Sequence, residues 1–380
     1  MRAVLLVSLL AAMPAQQTPE PHPFQIRLGE LLAAQRERHG FPGACAAVVL
    51  PDGTVVASAV GAADGEGKQP LTAASRMMSG SIGKTYCAAI ALRLVAEGKL
   101  SLDGKFADVL GKEEWYPRLP NAAAITLRQL LNHTSGVPEH VWKQPFQEAI
   151  TGEPDRVWTP RECVAFILSD PPVAAAGEKW SYADTNYVLV GLAIEQVTGK
   201  PFYEVLQARL LEPLQLRDTV PNDRRDVPGL VNGHASGIAF HTGDTVVDGR
   251  YFVNPIFEYC GGGISSTAGD LARWTALLFG GEVIPKDLRD DLIDGVPAAR
   301  GVTEKYGLGC FVMRGPHGPA LGHSGIMPGY NGYTLWFPDL RIAAAFLCNT
   351  DDGKRTGPMK RHVEAYAAAA KEWLAVPAGK

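Results

Sequence analysis

Strand-forming sequence in this 380-residue chain is confined to its two ends, and that placement limits the fold more than any other feature. Near the N-terminus, residues 43–50 and 54–60 are short apolar runs split by Pro51-Asp52-Gly53, the pattern of a β-hairpin. Three more runs lie near the C-terminus, at 307–313, 332–337 and 342–348, with turns at Gly315-Pro316 and Pro338-Asp339. A helix over 24–38, with Ile26, Leu28, Leu31 and Leu32 on one side, precedes the hairpin. An Ala-rich helix over 358–374 closes the chain. The middle reads as helices and long loops, with helices at 81–97, 127–131, 160–169, 185–198 and 267–278. Strands this far apart in sequence must pair to bury their apolar faces, so an α+β fold is predicted. Residues 24–75 and 305–376 form one sheet with its helices. A mostly helical part, 76–304, stands beside it, and a cleft runs between the two.

Composition narrows the class. Apolar residues make up 46% and charged residues 20% of the chain, which excludes a disordered or coiled-coil protein. The net charge is −4 and no block of five Lys/Arg occurs, so nucleic acid is not expected as a partner. The N-terminus has a basic start at Arg2, an uncharged apolar run from Ala3 to Ala12, and Ala15 before Gln16-Gln17. That is the pattern of a secretory leader over 1–17, cleaved near Ala15, and it predicts a periplasmic or secreted protein; a frayed apolar terminus of a cytosolic protein is the other reading. No segment reaches the ~20 apolar residues that a membrane span requires. Export permits disulfides, and six Cys is an even number. Cys45, Cys163, Cys310 and Cys348 sit in apolar runs and Cys87 on a helix, so buried free thiols are expected. A Cys45–Cys348 bridge between neighbouring strands stays open as the alternative.

Three short segments carry chemistry. Ser81-Ile82-Gly83-Lys84 opens the 81–97 helix after a tight Met78-Ser79-Gly80 turn. A Ser in the first helical turn has its N–H pointing out of the helix end, where partial positive charge favours an oxyanion. Lys84, three residues on, returns to the same face. If buried, its amine loses basicity and can take the serine's proton. Ser81 as a plain N-cap beside a solvated Lys84 is the other reading, since Ser-x-x-Lys arises about once by chance in a chain this size. Tyr182-Ala183-Asp184 precedes an amphipathic helix and can present its phenol to a cleft as a base or proton relay; a half-buried packing Tyr is the alternative. Gly322-His323-Ser324-Gly325 ends a short strand, and Ile326 stands where a nucleophile elbow needs glycine. What remains is either a Gly-flanked edge strand that a substrate backbone can lie against, with the Ile326 N–H as oxyanion donor, or an ordinary strand with a surface His. The nine His form no His-Glu-x-x-His or His-x-His cluster, and no Walker or dinucleotide loop occurs, so no metal or cofactor is expected.

Taken in order, Ser-x-x-Lys, Tyr-x-Asp and His-Ser-Gly resemble the penicillin-recognising serine hydrolases, specifically the class C β-lactamase-like branch. That branch includes D-alanyl-D-alanine carboxypeptidases, D-aminopeptidases and small esterases. Ile125-Thr126-Leu127-Arg128-Gln129-Leu130-Leu131-Asn132-His133-Thr134-Ser135-Gly136, Gly261-Gly262-Gly263-Ile264-Ser265-Ser266-Thr267 and Tyr306-Gly307-Leu308-Gly309 stand in the matching order. The resemblance implies a five-stranded antiparallel sheet with flanking helices, a helical domain across the cleft, and an acyl-enzyme at Ser81. It implies Lys84 as proton acceptor or electrostatic support and Tyr182 as second base. His323, Ser324 and Gly325 would fill the third motif, and the Ser81 and Ile326 amides would form the oxyanion hole. His133 and the Thr-Ser-Gly after it would hold the cleft rim.

Two departures shape the expected activity. Asp184 stands where the second motif usually ends in Asn, and a carboxylate beside Lys84 keeps the amine protonated, leaving Tyr182 as the principal base. His323 stands where most β-lactamases carry Lys, and a ring mostly neutral at pH 7 suits a substrate carboxylate poorly. The expected reaction is hydrolysis of an ester or a D-amino-acid-type amide, on a small molecule or peptide. A true β-lactamase and a non-catalytic penicillin-binding or sensor module are the alternatives. No glutamate is identified as a deacylating base, and whether residues 220–260 shape the cleft is left open.

Overall fold

The computed structural model describes residues 22–64, 67–238, 240–298 and 304–376; the leader expected over 1–17 lies outside them. The hairpin forms as its sequence requires. Strands β1 (Gly43–Val49) and β2 (Val55–Gly61) are antiparallel, with Val49 opposite Val55 and left-handed Gly53 in the connection. Six strands from the far end complete the sheet: β3 (Val296–Pro297), β4 (Lys305–Tyr306), β5 (Phe311–Gly315), β6 (Gly318–Met327), β7 (Tyr330–Phe337) and β8 (Ile342–Cys348). Their spatial order is β3-β4-β5-β6-β7-β8-β1-β2, and every neighbouring pair is antiparallel.

The sheet therefore has eight strands where five were expected. β3 and β4 are two residues each, too short to carry any hydrophobic alternation. The run at 307–313 is not one strand, because Gly307–Cys310 turns between β4 and β5. In place of the short strand expected before His-Ser-Gly, β6 runs ten residues.

Five helices position the site: α1 (Pro23–His39), α2 (Gly83–Ala96), α3 (Asp184–Thr198), α4 (Ala268–Gly280) and α5 (Met359–Leu374). The terminal helices α1 and α5 cover one sheet face, where Phe24, Leu28, Leu32 and Tyr366 join Ala44, Ala46, Val48 and Phe346 in one core. The alternate residues Cys45, Ala47, Ala343 and Ala345 join the core on the other face, against which α4 packs. α4 thus lies on the sheet although its sequence falls inside the 76–304 stretch. Alanine-rich β1 and β8 let helices on both faces approach closely, so both strands are buried along their whole length.

The register also decides the cysteines. Cys45 lies opposite Leu347 and Cys348 opposite Ala44, so the two side chains point to opposite faces and cannot bridge. All six thiols are free and buried. Among the described residues no helix is long and apolar enough to cross a membrane.

Candidate active site

Ser81 sits in a 3₁₀ turn, Gly80–Ile82, that leads into α2. Met77–Met78 anchors this turn by pairing with Ile264–Ser266. The Ser79 N–H and hydroxyl both donate to the Ile264 carbonyl at 3.0 Å. The turn is pressed against the second half of β6, beyond Gly322, where pairing with β5 stops. A Cβ on Gly325 would lie 1.8 Å from the Ser79 carbonyl oxygen and 3.0 Å from the Ser81 nitrogen. A Cβ on Gly80, whose φ is +51°, would lie 2.5 Å from the Ile326 nitrogen. Both positions need glycine. The backbones of Ser81 and Ile326 therefore run side by side, which is the arrangement that two oxyanion donors require.

Lys84, fully buried, brings Nζ to 3.1 Å from Ser81 Oγ. It also donates to Asp184 Oδ1 and to the Gly261 carbonyl. Asp184 opens α3, and its N–H donates to Glu139 Oε2 at 2.6 Å. Glu139 accepts further from the His140 and Val141 amides. Its burial raises the carboxyl, but His140 and these backbone donors outweigh burial and hold it below its ordinary value.

For Lys84, burial lowers the basicity as expected, yet Asp184, Tyr182 and Glu258 outweigh it and the net shift is upward. Burial pushes the Asp184 carboxyl up against the pull of Lys84. A carboxyl remains the stronger acid of the two, so the proton of this pair stays on nitrogen. The Ser81 hydroxyl faces an ammonium, and the expectation of a neutral buried amine gives way to the ion pair that Asp184 suggested.

Tyr182, half-buried on the loop entering α3, packs its ring at a tilt 4.1 Å from that of His133, and Lys84 Nζ lies 5.1 Å from its ring centre. His133 is buried with φ +59°. Its carbonyl accepts from the Ser181 N–H and its Nδ1 from the Ala183 N–H, so it shapes the loop on which Tyr182 rides. His323 lies farther from solvent than expected. It is 1% exposed, its ring stacks on Phe311 at 4.3 Å, and its Nε2 is 2.8 Å from the Tyr306 hydroxyl. The Tyr182 and His323 rings are 6.5 Å apart.

A cavity of about 70 Å³ opens at Ser81. Tyr182 and Asp184 line it from the start of α3, and Ile326 and Met327 line it from β6; His323, Ser324 and Gly325 do not reach it. The 220–260 segment supplies Ile238, Phe240, Phe257 and Glu258, so it does shape the cleft. Trp142 and Ile238, each about half exposed, stand at the wall with Phe240. The described lining contains three carboxylates, Asp184, Glu258 and Asp351, and no Lys, Arg or His. Both Asp351 oxygens accept backbone N–H groups, from Ser236 and Gly329. Burial, then the Asp184 charge, push Glu258 up to about 8. Glu139 and Glu258 are the residues that sequence reading missed. Neither stands in a spacing that signals chemistry; the one available cue was that Glu258 lies just before the Gly261-Gly262-Gly263 run.

The Beta-lactamase family profile matches residues 28–369 of the chain. Penicillin-binding protein 4 of Amycolatopsis lactamdurans is 27% identical over 84% of this chain and 84% of its own length. Esterase EstB of Burkholderia gladioli is 27% identical over 86% of this chain and 90% of its own. The structure of a D-stereospecific amidohydrolase from Streptomyces sp. superposes with a TM-score of 0.74 at 27% identity, covering 88% of this chain and 97% of that one.

Proposed function

Because the chain belongs to the Beta-lactamase family, we propose that it is an exported serine hydrolase that forms an acyl-enzyme at Ser81 from neutral or amine-bearing esters and amides, D-amino acid amides among them. The observation that carries the substrate class is the cavity wall: Asp184 is paired with Lys84, Glu258 is largely protonated at neutral pH, and the described lining offers no Lys, Arg or His to receive a substrate carboxylate. β-Lactams and D-alanyl-D-alanine peptides bring a carboxylate into such a site, where this wall leaves it uncompensated. An ester, or an amide beside a protonated amine, meets no such penalty. Trp142, Ile238, Phe240 and Ile326 suit an apolar acyl or side-chain group. The names of two relatives, an esterase and a D-stereospecific amidohydrolase, support the same reading.

In the proposed reaction Tyr182 starts as the phenolate; Ser81 Oγ attacks the carbonyl carbon and its proton passes to the phenolate oxygen. Tyr182 then delivers that proton to the leaving alkoxide or amine. Lys84 stays charged throughout, orients Oγ through their 3.1 Å contact, and balances negative charge on Tyr182. The Ser81 and Ile326 amides receive the oxyanion.

A panel of p-nitrophenyl esters, D-amino acid amides, D-alanyl-D-alanine peptides and nitrocefin, ranked by kcat/KM, tests the reading. Esters or D-amides should exceed nitrocefin and the dipeptides by at least about tenfold, and Ser81→Ala should lose both turnover and fluorophosphonate labelling. Nitrocefin as the best substrate overturns the substrate class. A wild-type protein that no acylating probe labels is the binding module instead.

A further inference from the structure

We infer that Glu258 is the base that activates the hydrolytic water in the second half of the reaction, an inference that rests on the acyl-enzyme at Ser81. Its side chain lines the same cavity as Ser81. A Cβ on Gly262 would sit 2.9 Å from Glu258 Oε2 and 2.7 Å from the Gly80 carbonyl carbon, which is bonded to the Ser81 nitrogen. The carboxyl and the oxyanion corner of the nucleophile turn thus close on one point, and only a glycine at 262 leaves it open. Backbone geometry holds the carboxyl there. Pro255–Glu258 forms a 3₁₀ turn capped by Asn254, and Tyr259 follows at φ +42° before the chain doubles back through Gly261–Gly263.

The other carboxylates near Ser81 are committed elsewhere. Asp184 is paired with Lys84, Glu139 caps α3, and Asp351 takes two backbone amides. Glu258 has no such assignment in the acylation step, and it is the acid that could carry a proton in and out.

The step balances as follows. A water oxygen attacks the acyl carbon and its proton goes to the ionised Glu258. The tetrahedral intermediate collapses, the C–Oγ bond breaks, and the proton on Glu258 returns to Ser81 Oγ. The product acid leaves and the free serine is restored.

The titratable groups facing Glu258 are Asp184, Lys84 and Glu139. Tyr203, Tyr251 and Cys163 also lie near it, but burial holds all three far above neutral pH. With Glu258 at about 8, it is mostly protonated at pH 7 and mostly ionised at pH 9. The turnover of a deacylation-limited ester should therefore rise about tenfold across that interval.

Burst kinetics with p-nitrophenyl acetate across pH 6–10 test this, with intact mass spectrometry to detect acetylated protein. Glu258→Gln should keep the p-nitrophenol burst, lower the steady-state rate at least tenfold, accumulate acetyl-enzyme and flatten the limb near pH 8. Glu258→Asp should restore a pH-dependent limb. Fluorophosphonate labelling of both variants shows that their sites are folded. Unchanged steady-state turnover in Glu258→Gln, or burst and turnover falling by one factor in labelled protein, overturns the role of Glu258. So does a variant that no longer labels. A wild-type protein giving neither burst nor adduct fails at the acyl-enzyme itself, which is a different failure.

Discussion

Lys84 is buried beside carboxyl groups contributed by two distant parts of the chain, and that company sets its charge. Asp184 comes from the start of α3 and Glu258 from the turn before Gly261, while Glu139, from the loop after the Thr134-Ser135-Gly136 segment, faces both of them. A neutral lysine would leave the Asp184 charge uncompensated in a poorly solvated site, so the ammonium persists, and in the proposed mechanism proton abstraction falls to Tyr182. Tyr182→Phe should accordingly lower kcat/KM for a p-nitrophenyl ester by about 10²–10⁴, with Ser81 still present and Lys84 still paired. Acylation at the wild-type rate in that variant would falsify the assignment of Tyr182 as base. Ser81, Lys84, Tyr182 and Asp184 were legible in the sequence because local spacing alone brings the first two onto one helical face and the last two to a helix start. Glu139 and Glu258 were not, because what makes them matter is their approach to the Lys84–Asp184 pair, Glu139 at Asp184 and Glu258 at both, across more than forty residues of intervening chain. The direction of the Lys84 shift was legible only through Asp184, since burial and charge act in opposite senses and their balance depends on every neighbour.

The elements that build the site are a turn and a strand held in contact by glycines. The Gly80–Ile82 turn lies against the unpaired edge of β6, and the missing Cβ atoms of Gly80 and Gly325 set how close the Ser81 and Ile326 amides come. Gly325→Ala puts a methyl 1.8 Å from the Ser79 carbonyl oxygen, so the backbones must separate. We expect kcat/KM to fall by about 10²–10³, comparable to losing one oxyanion donor. Gly53→Ala is the control. Its Cβ meets nothing within 4 Å, and it should cost about 1 kcal/mol of stability through its positive φ while leaving kcat/KM unchanged. Thermal melts and ester kinetics on the two variants separate the cases. The long helices and the first hairpin were readable because each carries its own period. β6 was read too short because Gly, His and Ser interrupt its alternation, and β3 and β4 have no pattern to read. Those three strands exist because neighbours pair with them.

For the molecule as a whole, the two ends of the chain meet where β8 pairs with β1, and helices cover both faces of that junction. One consequence can be measured directly. All six thiols are buried, and burial pushes those of Cys45, Cys163 and Cys310 up to about 12, so little thiolate exists at neutral pH. A thiol reagent such as DTNB should find essentially none in the native protein and six after denaturation without reductant; fewer than six would reveal a disulfide. The sequence by itself determined the α+β class, the pairing of both termini in one sheet, and the order of the three motifs, because periodicity and short-range spacing are properties of neighbouring residues. Only the tertiary structure decided which cysteine faces which side, how far His323 sinks from solvent, and which carboxyl groups line the cavity wall. Those depend on register, burial and the summed field of groups distant in the chain, and none of the three is written in any local stretch of residues.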